Sequence, residues 1–381
     1  MARPITIRTV AERAGCSIAT VSRVINGTAR ASADVEARVR AAIAELEFRP
    51  SEIGRSLKTL RTRTLGVVIP SLTNPVFAGS VAGMEAEARA RGYTLLLTAT
   101  DYDPEREREL VGTLVAQSVA GLVLTVADPD ANPTLDLLDG EAIPYVLVYN
   151  EPQHAGRAAV TVDNASASRD LTVALIAAGH RRILFIAGRF STSDRSRLRH
   201  QGYLAAMAQA GLAPEPVLEL DYLADTAAHR AALESLLAGP DRPTGIICSN
   251  DLLALSVIAA VRDMGLAVPA DVSVAGFDGI SIGLLVTPPL ATVYQPTRRM
   301  GARAMERLFE IMAQDTPRTV EWLPYDVRTG GTLAQAPDLA PDLAERPPVS
   351  PSAPASAERM SSPPTQTPSP GQTSSPGKTP R

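Results

Sequence analysis

Between residues 64 and 330, the chain alternates short apolar runs with amphipathic segments of helical periodicity. This alternation predicts βαβ units, in which helices join the strands of parallel sheets. The runs that predict strands are residues 65–69, 93–98, 122–126, 145–149, 183–187, 245–248 and 272–275. A stretch of about 270 residues is longer than an α/β domain with a single hydrophobic core usually is, so we predict two lobes. We expect the chain to cross between them near residues 160–163.

Ahead of that α/β region, residues 5–26 predict two short helices joined by a tight turn. Thr6 is a candidate cap of the first helix, Gly15 is suited to end it, and Ser17 is a candidate cap of the second. On the second helix, the inward positions are Val21, Val24 and Ile25, and the outward positions are Ile18, Ala19, Ser22 and Arg23. This layout is typical of a DNA-reading helix in a major groove, with an ordinary helical pair as the alternative.

Basic residues are concentrated at the amino-terminal end of the chain. Residues 1–64 contain twelve Lys or Arg and six Asp or Glu, a balance of +6; the whole chain carries −4, so the remainder carries −10. A third helix, with an apolar stripe at Val35, Val39, Ile43 and Leu46, completes a small basic domain before Pro50. A positive helical module suits phosphate binding, and the turn spacing favours DNA over RNA or a membrane surface.

The motifs of both regions resemble the LacI/GalR family of bacterial transcription regulators, from residue 5 to about residue 333. The headpiece, hinge and first sensor strand of that family are similar to AGCSIATVSRVING and FRPSEIGRSLKTLRTRTLGVVIP. Its sensor core is similar to GHRRILFIAG, RPTGIICSNDLLAL, MGLAVPADVSVAGFD and PPLATVYQP.

The resemblance implies a multidomain chain that combines an all-α and an α/β part. It comprises a small helix-turn-helix DNA-binding headpiece at 1–50 and a hinge helix or linker at 51–62. A two-lobed, periplasmic-binding-protein-like domain for ligand sensing and dimerisation follows at 63–335. The remaining residues, 336–381, form a tail rich in Pro, Ser and Thr that we expect to be disordered.

Polar residues at the carboxyl ends of the predicted strands indicate a ligand site between the lobes, because ligands gather there in parallel sheets. Arg195 and Arg199 lie one helical turn apart on one face, whereas Arg197 points nearly opposite and is predicted to be solvated. Two guanidinium groups favour an anionic or strongly hydroxylated ligand, with a charged helix exterior as the alternative. The resemblance implies a sugar or sugar acid, and it assigns ligand roles to Arg199, Asn250, Asp278, Gln295, Phe77, Tyr149 and Tyr222.

The second helix also predicts how bases are read. Ile18 and Ala19 suit thymine methyl groups, and Arg23 suits guanine O6 and N7. Further DNA contacts are expected from Ser17, Thr20, Ser22 and Asn26, of which the last three suit phosphates. In the hinge, Ile53 and Leu57 lie four residues apart, and Leu57 is a candidate wedge for the minor groove, with a plain flexible linker as the alternative.

The composition argues against membrane, metal and catalytic classes. No run approaches eighteen apolar residues and no signal-peptide core follows MARP, so we expect a cytoplasmic protein without membrane contact. Cys16 and Cys248 suit small buried hydrophobes, and the four histidines lack metal-ligand spacing. We expect no cofactor and no enzyme activity, since hydrolase, Walker A and dinucleotide motifs are missing from the sequence.

The sequence therefore predicts a ligand-responsive repressor that binds a near-palindromic operator as a homodimer. The effector's sign of action stays open, because the same scaffold can be induced or co-repressed. From residue 337 onward, twelve of forty-five residues are proline and no heptad pattern is sustained, which favours a dimer over a tetramer. The alternatives are a sugar-binding transport protein and a sugar-processing enzyme fused to a DNA-binding head.

Overall fold

The structure is a computed structural model that describes residues 5–26, 31–48, 62–220, 226–239, 241–314 and 316–337. Its helices are α1 (Ile7–Ala14), α2 (Ile18–Asn26), α3 (Ala33–Glu45), α4 (Pro75–Ala90), α5 (Pro104–Ala116), α6 (Pro133–Gly140), α7 (Asn164–Ala177), α8 (Asp194–Gln209), α9 (Thr226–Leu237), α10 (Asp251–Asp263) and α11 (Thr297–Met312). Its strands are β1 (Thr64–Ile69), β2 (Thr94–Ala99), β3 (Leu122–Leu124), β4 (Tyr145–Val148), β5 (Ala159–Thr161), β6 (Ile183–Gly188), β7 (Leu218–Leu220), β8 (Gly245–Cys248), β9 (Ser273–Asp278), β10 (Ala291–Tyr294), β11 (Val320–Trp322) and β12 (Asp326–Arg328).

Helices α1, α2 and α3 enclose a small core of their own. Gly15 ends α1 with a φ of 62°, the left-handed conformation that terminates many helices. The backbone N–H of Thr20 donates to Ser17 Oγ at 3.1 Å, which confirms the predicted cap of α2. The fully buried members of this core are Val10, Ala11, Ala14, Val21, Val39 and Ala42.

The first lobe is a six-stranded sheet in the order β11-β5-β4-β3-β1-β2, and all of its pairs are parallel. Strands β3 and β4 are buried along their whole length, so they read as continuous apolar runs in the sequence. Helices α4 and α11 cross where glycine lets their backbones approach closely. A Cβ added at Gly301 of α11 would lie only 1.9 Å from the Ser80 carbonyl oxygen of α4, so a larger residue there would separate the helices.

The second lobe is a six-stranded sheet in the order β12-β10-β9-β8-β6-β7, parallel except for the β10–β12 pair. The chain crosses between the lobes after β5, between β10 and α11, and between β11 and β12. The first crossing is the one predicted from the sequence. The two returns were missed, because the order of apolar runs does not reveal which sheet a late strand joins.

Several sequence expectations need correction. Strands β5, β7, β10, β11 and β12 were not predicted, since three or four residues are too few for a clear periodicity. Strand β9 runs to Asp278, so that residue ends the strand instead of following it. Cys248 is buried as expected, but Cys16 is only partly buried, because the turn between α1 and α2 leaves one side open.

No helix within the described ranges is long and apolar enough to cross a membrane.

Candidate DNA-binding helix and effector cleft

Helix α2 packs one side on the headpiece core and presents the other to solvent. Ser17, Ile18, Ala19 and Arg23 are exposed, and Thr20 and Ser22 are half-buried. The hydroxyl oxygens of Ser17 and Thr20 lie 2.9 Å apart, and Arg23 Nε donates to the Ala19 carbonyl at 3.3 Å. Asn26 ends α2, but its side chain and the whole of Leu57 lie outside the described residues.

The carboxyl ends of strands from both lobes border a shared cleft. It encloses about 30 Å³, which is room for a water molecule or two. Its lining residues are Asn74, Val76, Phe77, Tyr102, Tyr149, Ser193, Arg195, Ser196, Arg199, Asn250 and Asp278.

Arg199 is the centre of the second lobe's wall. Its guanidinium carbon lies 3.6 Å from the centre of the Phe277 ring, which stacks beneath it. Arg199 Nε donates to Asn164 Oδ1 at 2.8 Å, and Nη1 donates to Asp278 Oδ1 at 3.3 Å and to the Ser249 carbonyl. The plane of this buried cation is therefore fixed before any ligand arrives.

Asp278 and Gln295 place oxygen acceptors beside that cation. Gln295 Nε2 donates to Asp278 Oδ1 at 2.8 Å, whereas Gln295 Oε1 is buried without a hydrogen-bond partner among the described residues. Burial raises the pKa of Asp278 and Arg199 opposes the rise. Behind it, Asp251 accepts the Thr292 hydroxyl at 2.6 Å, and burial together with the Asp278 charge raises the pKa of Asp251.

The start of α8 joins the two lobes. Asp194 Oδ1 accepts from Asn150 Nδ2 at 2.8 Å, and the Asp194 backbone N–H donates to the Ala127 carbonyl at 3.0 Å. Arg195 Nη1 donates to the Val126 carbonyl at 3.0 Å and to Asp194 Oδ1 at 2.9 Å. Burial raises the pKa of Asp194, against the charge of Arg195. These contacts hold the lobes closed on each other.

Arg197 is the most exposed of the three arginines on α8, as predicted: its side chain is 41% exposed, against 7% for Arg195 and 6% for Arg199. The pairing of its Nη2 with Asp128 Oδ2 at 3.4 Å was not predicted. Asp128 belongs to the first lobe, so this partly exposed pair also spans the cleft.

The first lobe contributes an aromatic wall. The rings of Phe77 and Tyr149 meet edge to face, with their centres 5.6 Å apart. The Tyr149 hydroxyl donates to the Val76 carbonyl at 3.0 Å, and burial raises its pKa. Aromatic residues therefore line the cleft from the first lobe, and charged and polar residues line it from the second.

Comparison with known proteins places this architecture in a family. Residues 6–51 match the bacterial regulatory proteins, lacI family, and residues 172–333 match the periplasmic binding protein-like domain. The HTH-type transcriptional regulator GntR of Escherichia coli (strain K12) is 32% identical over 336 residues, which cover 87% of this chain and 99% of that protein. The chain belongs to the LacI family of bacterial regulatory proteins.

Other relatives agree. The ribose operon repressor of Escherichia coli (strain K12) is 36% identical over 313 residues, covering 82% of this chain and 94% of that protein. The crystal structure of the Lac repressor dimer bound to operator and the anti-inducer ONPF is 27% identical, with a TM-score of 0.77 and coverage of 87% and 100%.

This LacI-family chain is a DNA-binding transcriptional regulator. The predicted fold, a helix-turn-helix headpiece with a two-lobed sensor, is confirmed. The named relatives are regulators, so the enzyme alternative loses its support. Within the described ranges, no group of three or more potential ligands that could hold a metal is found.

Most of the sequence-predicted effector residues of this LacI-family sensor meet in the cleft. Phe77, Tyr149, Arg195, Arg199, Asn250 and Asp278 line it, Gln295 contacts Asp278, and Tyr222 lies outside the described residues. The cleft is also lined by four polar residues that were not predicted from the sequence, Asn74, Tyr102, Ser193 and Ser196. Asn74 caps α4 directly before Pro75, a recognisable helix start, whereas no pattern marks Tyr102.

Proposed function

We propose that the effector is a sugar or sugar acid held between the lobes by Phe77, Tyr149, Arg195, Arg199, Asn250, Asp278 and Gln295, with Tyr222 kept as a sequence-based prediction. The orphaned Gln295 Oε1 carries this proposal. A buried acceptor without a partner is costly, and a ligand hydroxyl supplies the missing donor. The neighbouring Asp278 carboxylate and Arg199 fork accept from and donate to further hydroxyls, as a polyhydroxylated molecule requires.

The charge balance of the cleft favours a neutral sugar over a sugar acid. Both arginines already face an aspartate: Arg195 with Asp194 at 2.9 Å and Arg199 with Asp278 at 3.3 Å. Asp194 and Asp251 also stand in the first turns of α8 and α10, where they offset the positive helix ends. A carboxylate would therefore enter a site without surplus positive charge.

Binding requires the lobes to move. A cleft of about 30 Å³ holds no sugar, so the contacts of Asp194 and Arg195 with the first lobe must open to admit one. A ligand that binds the two lobe arrangements with different affinity shifts the population between them. This shift is the means by which the effector controls operator affinity, in either direction.

The headpiece reads the operator through α2. Ile18 and Ala19 contact thymine methyl groups, and Arg23 contacts guanine. Ser17 lies on the same exposed face, and Thr20, Ser22 and Asn26 contact phosphates. Leu57 enters the minor groove at the operator centre. Operator DNA lies in the bacterial cytoplasm, so the proposed localisation of the protein is cytoplasmic.

The second copy of the chain docks on an apolar surface beside the edge strand β2. Leu72 and Leu97 are 67% and 40% exposed there, and they border a cavity of about 490 Å³. Glu85, Arg89 and Arg298 form its charged rim. A twofold axis lets such a patch meet itself. Sedimentation should show Leu97→Asp as a monomer, while Leu137→Asp, an exposed leucine on α6, stays dimeric.

The effector role is tested with Arg199→Ala. In the full-length protein, anisotropy titrations of operator DNA are run with and without D-ribose, cellobiose, D-gluconate, ribose 5-phosphate and hypoxanthine. The unchanged protein should respond to a sugar, whereas Arg199→Ala should bind the operator normally and lose the response. Arg169→Ala, an exposed arginine on α7, is the control. A full response in Arg199→Ala removes that residue from the site.

A further inference from the structure

The turn between β2 and α5 carries backbone strain beside the cleft. The Asp103 N–H donates to the Thr100 carbonyl at 3.1 Å, and the two residues between them, Asp101 and Tyr102, have φ of 53° and 60°. Positive φ at both central positions is the requirement of a type I′ turn, which favours Asn followed by Gly. Asp101 fits this preference, but Tyr102 places a bulky side chain where glycine is favoured.

The surroundings of this turn hold it in place. Asp101 Oδ2 pairs with Arg106 Nη1 at 2.5 Å, and Asp103 caps α5 by accepting from the Glu105 N–H at 2.9 Å. Thr100 is buried, and its N–H donates to the Ile69 carbonyl at 3.0 Å. These contacts are made by the aspartate side chains and by the backbone, so they hold the turn whichever side chain stands at position 102.

Tyr102 lines the effector cleft from the first lobe, and Arg195 and Arg199 line the same cleft from the second. Two other cleft residues share its backbone feature, since Tyr149 and Asp278 have φ of 71° and 120°. Left-handed non-glycine residues that gather at one site mark places where a side chain is needed in spite of its backbone cost.

We propose that Tyr102 is an effector-contacting residue, whose ring covers one face of the bound sugar opposite Arg195 and Arg199. This inference rests on the proposed effector site and adds a residue to it. An aromatic ring suits the C–H face of a sugar, because both surfaces are apolar and flat. Glycine in the turn would relieve the strain but would remove that contact.

The proposal predicts opposite effects on stability and affinity. In the full-length protein, Tyr102→Gly should raise the melting temperature by a few degrees and weaken sugar binding at least tenfold in calorimetric titrations. Tyr102→Phe should keep affinity within threefold of the unchanged protein, because the ring is retained. The matched control is Ala142→Gly, an exposed residue after α6 with a φ of 53°, which should gain stability with unchanged affinity.

The probes are D-ribose, cellobiose and D-gluconate, titrated first against the unchanged protein. If it binds none of them, the proposed ligand class fails, and the variants are compared with whichever of ribose 5-phosphate or hypoxanthine it does bind. If the unchanged protein binds a probe and Tyr102→Gly binds it within twofold, Tyr102 is no effector contact. Equal losses in Tyr102→Phe and Tyr102→Gly would overturn the role of the ring.

Discussion

The two recognition surfaces of this regulator are built in opposite ways. The DNA-reading face comes from one short helix, α2, and its side chains project into solvent from a core to which they contribute little. The effector cleft draws on segments from residue 74 to residue 295, and its side chains bond to one another in the interior. Exposed recognition residues can change without disturbing folding, whereas a change in the cleft alters stability and recognition together.

The largest expected effect tests the buried side of this contrast. Asp278→Ala leaves Arg199 as a buried cation without its carboxylate, and breaking such a pair costs about 3–5 kcal/mol of unfolding free energy. Denaturant titrations of the full-length protein should detect the loss. Asp263→Ala, which removes an exposed carboxylate from the end of α10, should stay within about 0.5 kcal/mol. A stable Asp278→Ala would show that the cleft tolerates change as α2 does.

Arg23→Ala tests the exposed DNA-reading face, and its expected effect is smaller than that of Asp278→Ala. It should reduce the preference for the operator over scrambled DNA by about 1–3 kcal/mol at one base pair per half-site. Because Arg23 is exposed, the melting temperature should not change. Anisotropy competition measures the first quantity and calorimetry the second, with Arg40→Ala on α3 as the control. Full preference in Arg23→Ala would remove it from base reading.

The smallest change is Tyr149→Phe, which keeps the ring and removes one hydrogen bond from the cleft. Loss of the bond to the Val76 carbonyl should cost about 1 kcal/mol of stability. Operator affinity without effector should be unaffected, since the headpiece carries the DNA contacts. Denaturant unfolding combined with operator titration separates the two. A change in operator affinity without a stability loss would contradict the contrast.

The same contrast explains how much the sequence could predict. The headpiece helices, their caps at Ser17 and Gly15 and the outward positions of Ile18, Ala19 and Arg23 depend on neighbours within one or two turns. The structure confirms them, although Ser22, also predicted to point outward, is half-buried. The side-chain contacts in the cleft depend on which strands lie side by side. The sequence does not show this, so those contacts could not be predicted from it. The exposure of Arg197 was predicted from its helix face, but its pairing with the Asp128 carboxylate was not, because that partner lies in the other lobe. Tyr102 carried no signal, because a turn sequence does not reveal where its side chain points.

The chain passes between the two lobes three times, and this has a consequence for its synthesis on the ribosome. Strand β5 gains its neighbour β11 only when residues 320–322 emerge, and β10 gains β12 only at residues 326–328. At about 5–20 residues per second, the first lobe waits roughly 8–32 s between β5 and its last strand. Neither lobe can therefore finish folding as an independent nascent unit, and a chain released before residue 320 leaves an unpaired strand edge in both.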